Sequence, residues 1–368
     1  MVSRNCDATV KAISVVSLKY LSKPMKTLYV NGRFLTQNVT GVQRYAIEMC
    51  KKLATMFDDF HIAVPKSTKT HEDKLKPFLF EVGQLSGTIW EQVDLCRFMK
   101  NNGSVLLNLC NTAPLGYHRN VVTIHDLGVF RNSDWYEWKF ANWYKFLTPR
   151  IVKKAISILT VSEFSKREMI DVLGIDAQNI HVVYNGVGED LRSASVQQKE
   201  KIVLHVGTLS ERKNVKMIVD CYLQSCPNNF KLVLCGKADK NLSIPATEFN
   251  KINSIEVING LNDTQLSALM AKASYLISAS NYEGFGLPVL EGLANDAKPI
   301  LSDIPVYREL FSGVAEFFSL ERPEELVKIF QGLDANDSKL ESSVESDFLE
   351  RFKFGRSADK IKTIIQFL

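Results

Sequence analysis

Two glutamates with seven residues between them bound the run Glu283-Gly284-Phe285-Gly286-Leu287-Pro288-Val289-Leu290-Glu291. A strand pattern precedes the run and a helix pattern follows it. Gly284 and Gly286 let backbone come close to a ligand, and Pro288 suits the first turn of a helix. Unpaired N–H groups and the helix dipole then favour an anion. Carboxylates repel an anion, so two of them beside such a site fit a ligand that also carries hydroxyls, as a sugar or ribose does. The alternative is an ordinary strand–turn–helix with two surface glutamates.

Three further clusters sit where strands should end. Gly207-Thr208-Leu209-Ser210-Glu211-Arg212-Lys213-Asn214 puts a fork-shaped and a point-like cation within one turn, a pair able to neutralise a diphosphate. The plainer reading is a solvated basic pair. Val121-Val122-Thr123-Ile124-His125-Asp126 delivers a His–Asp pair, which could meet a substrate hydroxyl or be a satisfied structural pair. No further ligands stand at zinc spacing around His125. Thr40-Gly41-Val42-Gln43-Arg44 opens a helix and has a single glycine, a weak dinucleotide signal.

These clusters need a scaffold that presents strand ends. Buried-strand runs read at Thr27–Val30, His61–Val64, Val105–Leu109, Val121–Ile124 and Ile156–Val161, with helical patterns between them. After a polar stretch at residues 188–200 they resume at Ile202–Val206, Lys231–Leu234, Ile255–Ile258, Tyr275–Ala279 and Pro299–Ser302. Helices are expected near Val215–Leu223, Thr264–Ala271, Leu287–Ala294 and Pro323–Leu333. Apolar runs alternating with helices give parallel sheets covered on both faces. The expected fold is α/β, two doubly wound lobes facing a cleft. The expected division is an extension at 1–24, a first domain at 25–190, a second at 191–348, and a closing helix at 349–368.

With 368 residues the chain has room for two domains. Its 45% apolar and 23% charged residues exclude a disordered or fibrous chain. No run reaches the ~18–20 apolar residues of a membrane span. A net charge of +4 is too small to argue for nucleic acid. The basic excess lies outside 191–348, a stretch with 16 basic and 21 acidic side chains. Seven cysteines without CxxC spacing read as reduced thiols. Trp135, Tyr136, Trp138, Phe140, Trp143, Tyr144 and Phe146 crowd beside Lys139, Lys145, Arg150, Lys153 and Lys154. That mixture fits either core packing or a helix at a membrane interface.

Taken in order, these segments resemble the retaining GT-B glycosyltransferases of family 4. The resemblance runs from about Met25 to the end. It includes the Gly41 loop, His125-Asp126, Val161-Ser162-Glu163-Phe164-Ser165, Tyr184-Asn185-Gly186-Val187, the Gly207 to Asn214 segment and the glutamate pair, which matches the family's EX7E element. Phe354-Gly355-Arg356-Ser357-Ala358 looks like the family's helix that crosses back to the first domain.

The resemblance implies sugar transfer from a nucleotide diphosphate sugar, GDP-mannose-like or a UDP-sugar, to a glycan or lipid-linked acceptor in surface polysaccharide synthesis. It implies no cofactor beyond that co-substrate and no metal. Arg212 and Lys213 would contact the diphosphate and Glu291 the ribose. Glu283, Phe285, Gly286 and Leu287 would hold sugar and phosphate, and His125 would face the donor sugar. Asn259 and Leu261 would flank the base. Gly41 and Gly207 complete the expected donor site, and Arg44, Asp126 and Ser162 are expected on the acceptor side. Catalysis would rest on His125, Glu283, Arg212 and Lys213. A cytoplasmic location, with peripheral contact to the inner membrane face through the first domain, is expected. A nucleotide-sugar epimerase and a non-catalytic two-lobe sugar-binding protein are the competing readings.

Overall fold

A computed structural model describes residues 27–70, 72–188, 199–225, 229–239, 252–333 and 347–368. The expected extension at 1–24 and most of the expected linker at 188–200 lie outside the described residues. The first sheet contains β1 (Leu28–Asn31), β2 (Phe60–Val64), β3 (Leu79–Glu81), β4 (Val105–Asn108), β5 (Asn120–Thr123), β6 (Ser157–Thr160) and β7 (Ile180–Val182). The second contains β8 (Glu200–Val206), β9 (Lys231–Cys235), β10 (Ile255–Ile258), β11 (Ala273–Ser278), β12 (Lys298–Ser302) and β13 (Glu316–Phe318). Their orders are β3-β2-β1-β4-β5-β6-β7 and β10-β9-β8-β11-β12-β13. Every pairing is parallel. The fold is therefore α/β with two doubly wound sheets.

The sequence reading misses β3, β7 and β13. Each has three residues at a sheet edge, and β3 is half-exposed, so none leaves a buried apolar run.

Helix α1 (Gly41–Leu53) buries Tyr45, Ala46, Met49, Cys50 and Leu53 against the first sheet. The aromatic stretch forms α2 (Trp138–Lys154). It turns Ala141, Leu147, Ile151 and Val152 inward and leaves Trp138, Phe140, Trp143 and Phe146 exposed, Trp138 by 76%. Those four aromatics are thus not core, whereas Tyr144 is only partly exposed. Helix α3 (Glu163–Leu173) follows β6. In the second lobe, α4 (Val215–Ser225), α5 (Asp263–Lys272), α6 (Leu287–Leu293), α7 (Pro305–Phe311) and α8 (Pro323–Gln331) cover the sheet. Among the described residues, no helix is long and apolar enough to cross a membrane.

The closing segment differs from the expected helix at 349–368. Phe348, Leu349 and Phe352 pack in the second lobe's core. Helix α9 (Phe354–Gln366) starts later and buries Phe354, Ala358 and Ile361 against α1. Burying Phe354 and Ile361 contributes about 1.5–3 kcal/mol each. Gly186 permits the crossing, since a Cβ there would stand 2.4 Å from the Phe354 nitrogen.

Polar contacts also join the lobes. Glu309 of α7 accepts the N–H groups of Glu163 and Phe164 at 2.7 and 2.6 Å, capping α3 across the boundary. Glu309→Ala leaves both N–H groups unpaired. Urea unfolding is expected to show a loss of about 1–3 kcal/mol, and an unchanged midpoint would refute the cap.

Candidate functional site

In each sheet the strand order reverses once, and ligands of such folds bind at the carboxyl strand ends beside the reversal. In the second lobe the reversal lies between β8 and β11. Gly207 leaves β8 with φ +145°, and Gly236 backs it so closely that a Cβ would sit 1.8 Å from the Gly207 carbonyl oxygen. The chain can then turn through Arg212 and Lys213 toward the loop after β11. Asn281 ties the two loops together: its N–H donates to the Arg212 carbonyl at 2.9 Å and its amide to the Glu211 carbonyl at 3.0 Å.

Glu283 is the hub. It accepts from Lys213 Nζ, from Arg212 Nη1 at 3.2 Å and from Ser280 Oγ at 2.7 Å. Arg212 Nη1 also donates to the Tyr282 carbonyl at 2.8 Å. Burial would raise the Glu283 carboxyl, but Lys213 and Arg212 outweigh it and hold the group down at about 2. Burial lowers Lys213, opposed by Glu283. For Arg212 burial is overcome by Glu283, and its pKa rises. Within this lobe two cations face one carboxylate. Below it His205 is almost fully buried, and burial followed by Lys213 pushes it down to about 4.

The first lobe brings the His125–Asp126 backbone to the loop that carries Glu283. His125 Nε2 donates to the Leu109 carbonyl at 2.9 Å, and Tyr45 packs edge-on at 4.8 Å between ring centroids. Burial lowers its pKa, so the ring is neutral near pH 7 and Nδ1 keeps its lone pair. Gly284 lies directly against it: a Cβ there would stand 2.4 Å from the His125 carbonyl oxygen and 2.9 Å from the Asp126 Cβ. Asp126 Oδ1 accepts from Gly128 N at 2.9 Å, and its charge favours the charged forms of Arg212 and Lys213. Tyr136, named above only among the crowded aromatics, and Tyr282, which the sequence reading passes over, belong to the same group. The Tyr282 hydroxyl accepts from Leu127 N at 3.1 Å. Burial, with Asp126 nearby, pushes both phenols up. Their only sequence signal was an aromatic beside each charged cluster.

One acceptor-side expectation is corrected. Ser162 is fully buried as the α3 N-cap, and its hydroxyl donates to the Gly284 carbonyl at 2.8 Å. It fastens the lobes and cannot meet an acceptor. Arg44, also expected on the acceptor side, reaches the other lobe: Nη2 lies 2.6 Å from Asp263 Oδ1 and Nη1 lies 3.8 Å from Glu291 Oε1. This Nη1 is buried without a hydrogen bond. Gly41 also faces across, with Leu287 Cδ1 3.6 Å from where a Cβ would be.

Glu291 is the counterpart of Glu283, with the opposite electrostatics. Burial raises its carboxyl to about 7, opposed by Arg44 and reinforced by Asp263. Phe285 is buried, Gly286 has φ +104°, and Leu287 opens α6, so the turn sits between the two glutamates. Asn259 and Leu261 follow β10 around Gly260, whose φ is +76° and whose Cβ position is open.

A raised carboxyl favours the folded state below the unfolded pKa near 4.5, and that contribution fades as pH rises through about 7. In the unliganded protein, Glu291→Gln is therefore expected to gain on wild type by about 3 kcal/mol between pH 4 and pH 8. Urea unfolding at both values checks this; a pH-independent difference would refute it.

Comparison with known proteins follows the same two-lobe division. The family model for Glycosyltransferase Family 4 matches residues 39–191, and that for Glycosyl transferases group 1 matches residues 188–336. The chain is 26% identical over 348 residues to the O-antigen chain mannosyltransferase RfbU of Salmonella typhimurium, covering 89% of this chain and 96% of that protein. It is 24% identical to O-antigen chain mannosyltransferase B of Escherichia coli, covering 72% of this chain and 79% of that one. The crystal structure of Anabaena HepE in complex with UDP and glucose superposes with a TM-score of 0.71 at 17% identity, covering 94% of this chain and all of that one. WaaG, a glycosyltransferase involved in lipopolysaccharide biosynthesis, gives 0.61 at 13% identity over 90% and 95% of the two chains. With both family models matched end to end on a GT-B scaffold, the chain belongs to the group 1, family 4 glycosyltransferases.

Proposed function

We propose that this enzyme transfers a hexose, with retained anomeric configuration and without a metal ion, from a nucleotide diphosphate sugar to a glycan or lipid-linked acceptor during O-antigen or related surface polysaccharide synthesis. The observation that carries the reading is the meeting of Arg212, Lys213, Glu283 and the His125–Asp126 strand end at one point of the cleft. Mannose from GDP-mannose is the favoured donor. Two of the relatives are named as O-antigen mannosyltransferases, and another is named a GDP-mannose-dependent alpha-mannosyltransferase. UDP-sugars are the second choice, because HepE binds UDP.

The barrier is charge separation between an oxocarbenium-like sugar and the departing diphosphate. Arg212 and Lys213 take the leaving group's charge, in place of a divalent cation. Glu283 stays ionised and shares both cations, so it is a poor nucleophile and no proton donor. It serves as an acceptor for a sugar hydroxyl, as does Nδ1 of His125. Glu291 accepts from the ribose. A front-face course follows. The bond from the anomeric carbon to the diphosphate oxygen breaks, the acceptor oxygen bonds to that carbon from the same side, and its proton passes to the leaving phosphate.

The exposed face of α2 extends the proposal. Trp138, Phe140, Trp143 and Phe146 stand out of a helix with five cations and no acidic residue. Such a face lies in the headgroup layer of an anionic membrane, where a lipid-linked acceptor resides.

Incubation with GDP-mannose, UDP-glucose and other nucleotide sugars, with glycolipid acceptors and chelator present, is expected to yield a glycoside of unchanged anomeric configuration. Inverted product, or loss of turnover in chelator, would overturn that part of the proposal. Arg212→Ala and Lys213→Ala are each expected to lose about 2–4 kcal/mol of transition-state stabilisation. Undiminished turnover in both would remove the leaving-group account. Vesicles containing anionic lipid should sediment wild type, and Trp138→Ala with Trp143→Ala should abolish that; equal sedimentation would refute the membrane face.

A further inference from the structure

The first sheet has its own reversal of strand order, between β1 and β4. The donor residues described above gather at the corresponding reversal in the second lobe, so this one is unassigned. Ligands favour such crevices, and the side chains there form a built site. Gly32 follows β1 so tightly that a Cβ would lie 2.6 Å from the Ala63 carbonyl oxygen. Arg33 then turns its guanidinium inward, its side chain only 13% exposed. Nη1 donates to Thr88 Oγ1 at 2.9 Å, and Nε lies 3.6 Å from Glu91 Oε2.

Glu91 is completely buried. Asn31 Nδ2, Thr112 Oγ1 and Gln92 Nε2 donate to its carboxylate at 2.9, 2.8 and 3.1 Å. A buried carboxylate is costly unless paired and hydrogen-bonded in this way. Residues Glu91–Leu95 are wound as a π-helix, a form found mostly at functional sites. The wide turn directs both Glu91 and Gln92 inward. Gln92 also clamps the loop after β4, donating to the Ala113 carbonyl at 3.0 Å and accepting from Leu115 N at 2.9 Å.

Asn31, Arg33, Gln37, Leu109, Cys110 and Thr112 wall a notch of about 10 Å³. That is room for one water or hydroxyl oxygen and too little for a phosphate. Glu91 also offsets the Arg33 charge, which removes the attraction an anion would need. Leu109 connects the notch to the reaction centre, because its carbonyl takes the His125 ring N–H at 2.9 Å. We propose that the notch binds one neutral sugar hydroxyl of the acceptor, with Arg33 as the specificity residue and Glu91 as its positioning residue. This rests on the glycosyl-transfer reading above.

The test uses the full chain with GDP-mannose and UDP-glucose as donors. Octyl α-mannoside and analogues each lacking one hydroxyl are the acceptors. Donor hydrolysis without acceptor is followed in parallel. Arg33→Gln is expected to raise the acceptor KM about tenfold or more, the scale of one charge-assisted hydrogen bond. Donor hydrolysis should stay within about twofold. One deoxy analogue should lose about tenfold against wild type and nothing further against Arg33→Gln. Arg33→Lys should restore part of the affinity, and Glu91→Gln should raise the acceptor KM with kcat held at saturation. Should Glu91→Gln fail to fold, the Arg33 pair decides. An unchanged acceptor KM in Arg33→Gln, or an equal penalty for every deoxy analogue in both proteins, would overturn the proposal. So would a wild type that hydrolyses donor but glycosylates no neutral mannoside. Absence of any nucleotide-sugar binding would instead sink the donor reading.

Discussion

The site depends on a place where no side chain fits. At Gly284 the second lobe's backbone lies against the His125 carbonyl, and a methyl group there would overlap it. That contact brings the backbone at the tip of β5 to the loop after β11, which carries Glu283. The surrounding polar groups are matched to it. Ser162 satisfies the Gly284 carbonyl, Glu309 caps α3 from the other lobe, and Tyr282 accepts from Leu127. Polar backbone in a buried junction must find partners, and here the partners come from opposite lobes, so the junction holds only when both are in register.

Within that frame, one residue type performs two tasks. Glu283 and Glu291 flank the same turn, and both are nearly fully buried. Glu283 touches two cations and Ser280, so it is ionised over the whole working range. Glu291 has Arg44 at ion-pair distance but, among the described residues, no side-chain hydrogen bond; burial, with Asp263 nearby, raises its carboxyl to about 7. In a weakly polar interior the number and closeness of cations decide the state of a carboxylate. The pair can therefore supply one permanent anion and one whose charge answers to its partners.

The two lobes repeat a single plan. Each sheet reverses its strand order once, and each reversal carries an arginine set against a buried glutamate: Arg212 with Glu283, Arg33 with Glu91. The difference is Lys213. It gives the second-lobe cluster two cations to one carboxylate, whereas the first-lobe pair is balanced. Helix α9 returns to α1 and ties the end of the chain to the first lobe.

Much of this was legible in order along the chain. Long buried strands such as β8 and β11 announce themselves because both faces need apolar residues. Gly207 and the Arg212–Lys213 pair follow one strand, and Glu283 and Glu291 bracket one turn, so local spacing revealed each group. Edge strands of three residues left no such mark, nor did the break between Phe352 and Phe354 where the closing segment changes lobes. The partner of each charge was decided only in three dimensions. The resemblance puts Ser162 and Arg44 on the acceptor side, yet one bonds Gly284 and the other reaches Asp263. Their partners lie in the other lobe, more than a hundred residues away in the chain. Composition and periodicity carry the preference of a residue for burial or a given turn; which charges meet, and hence which carboxylates ionise, exists only once the two sheets are packed together.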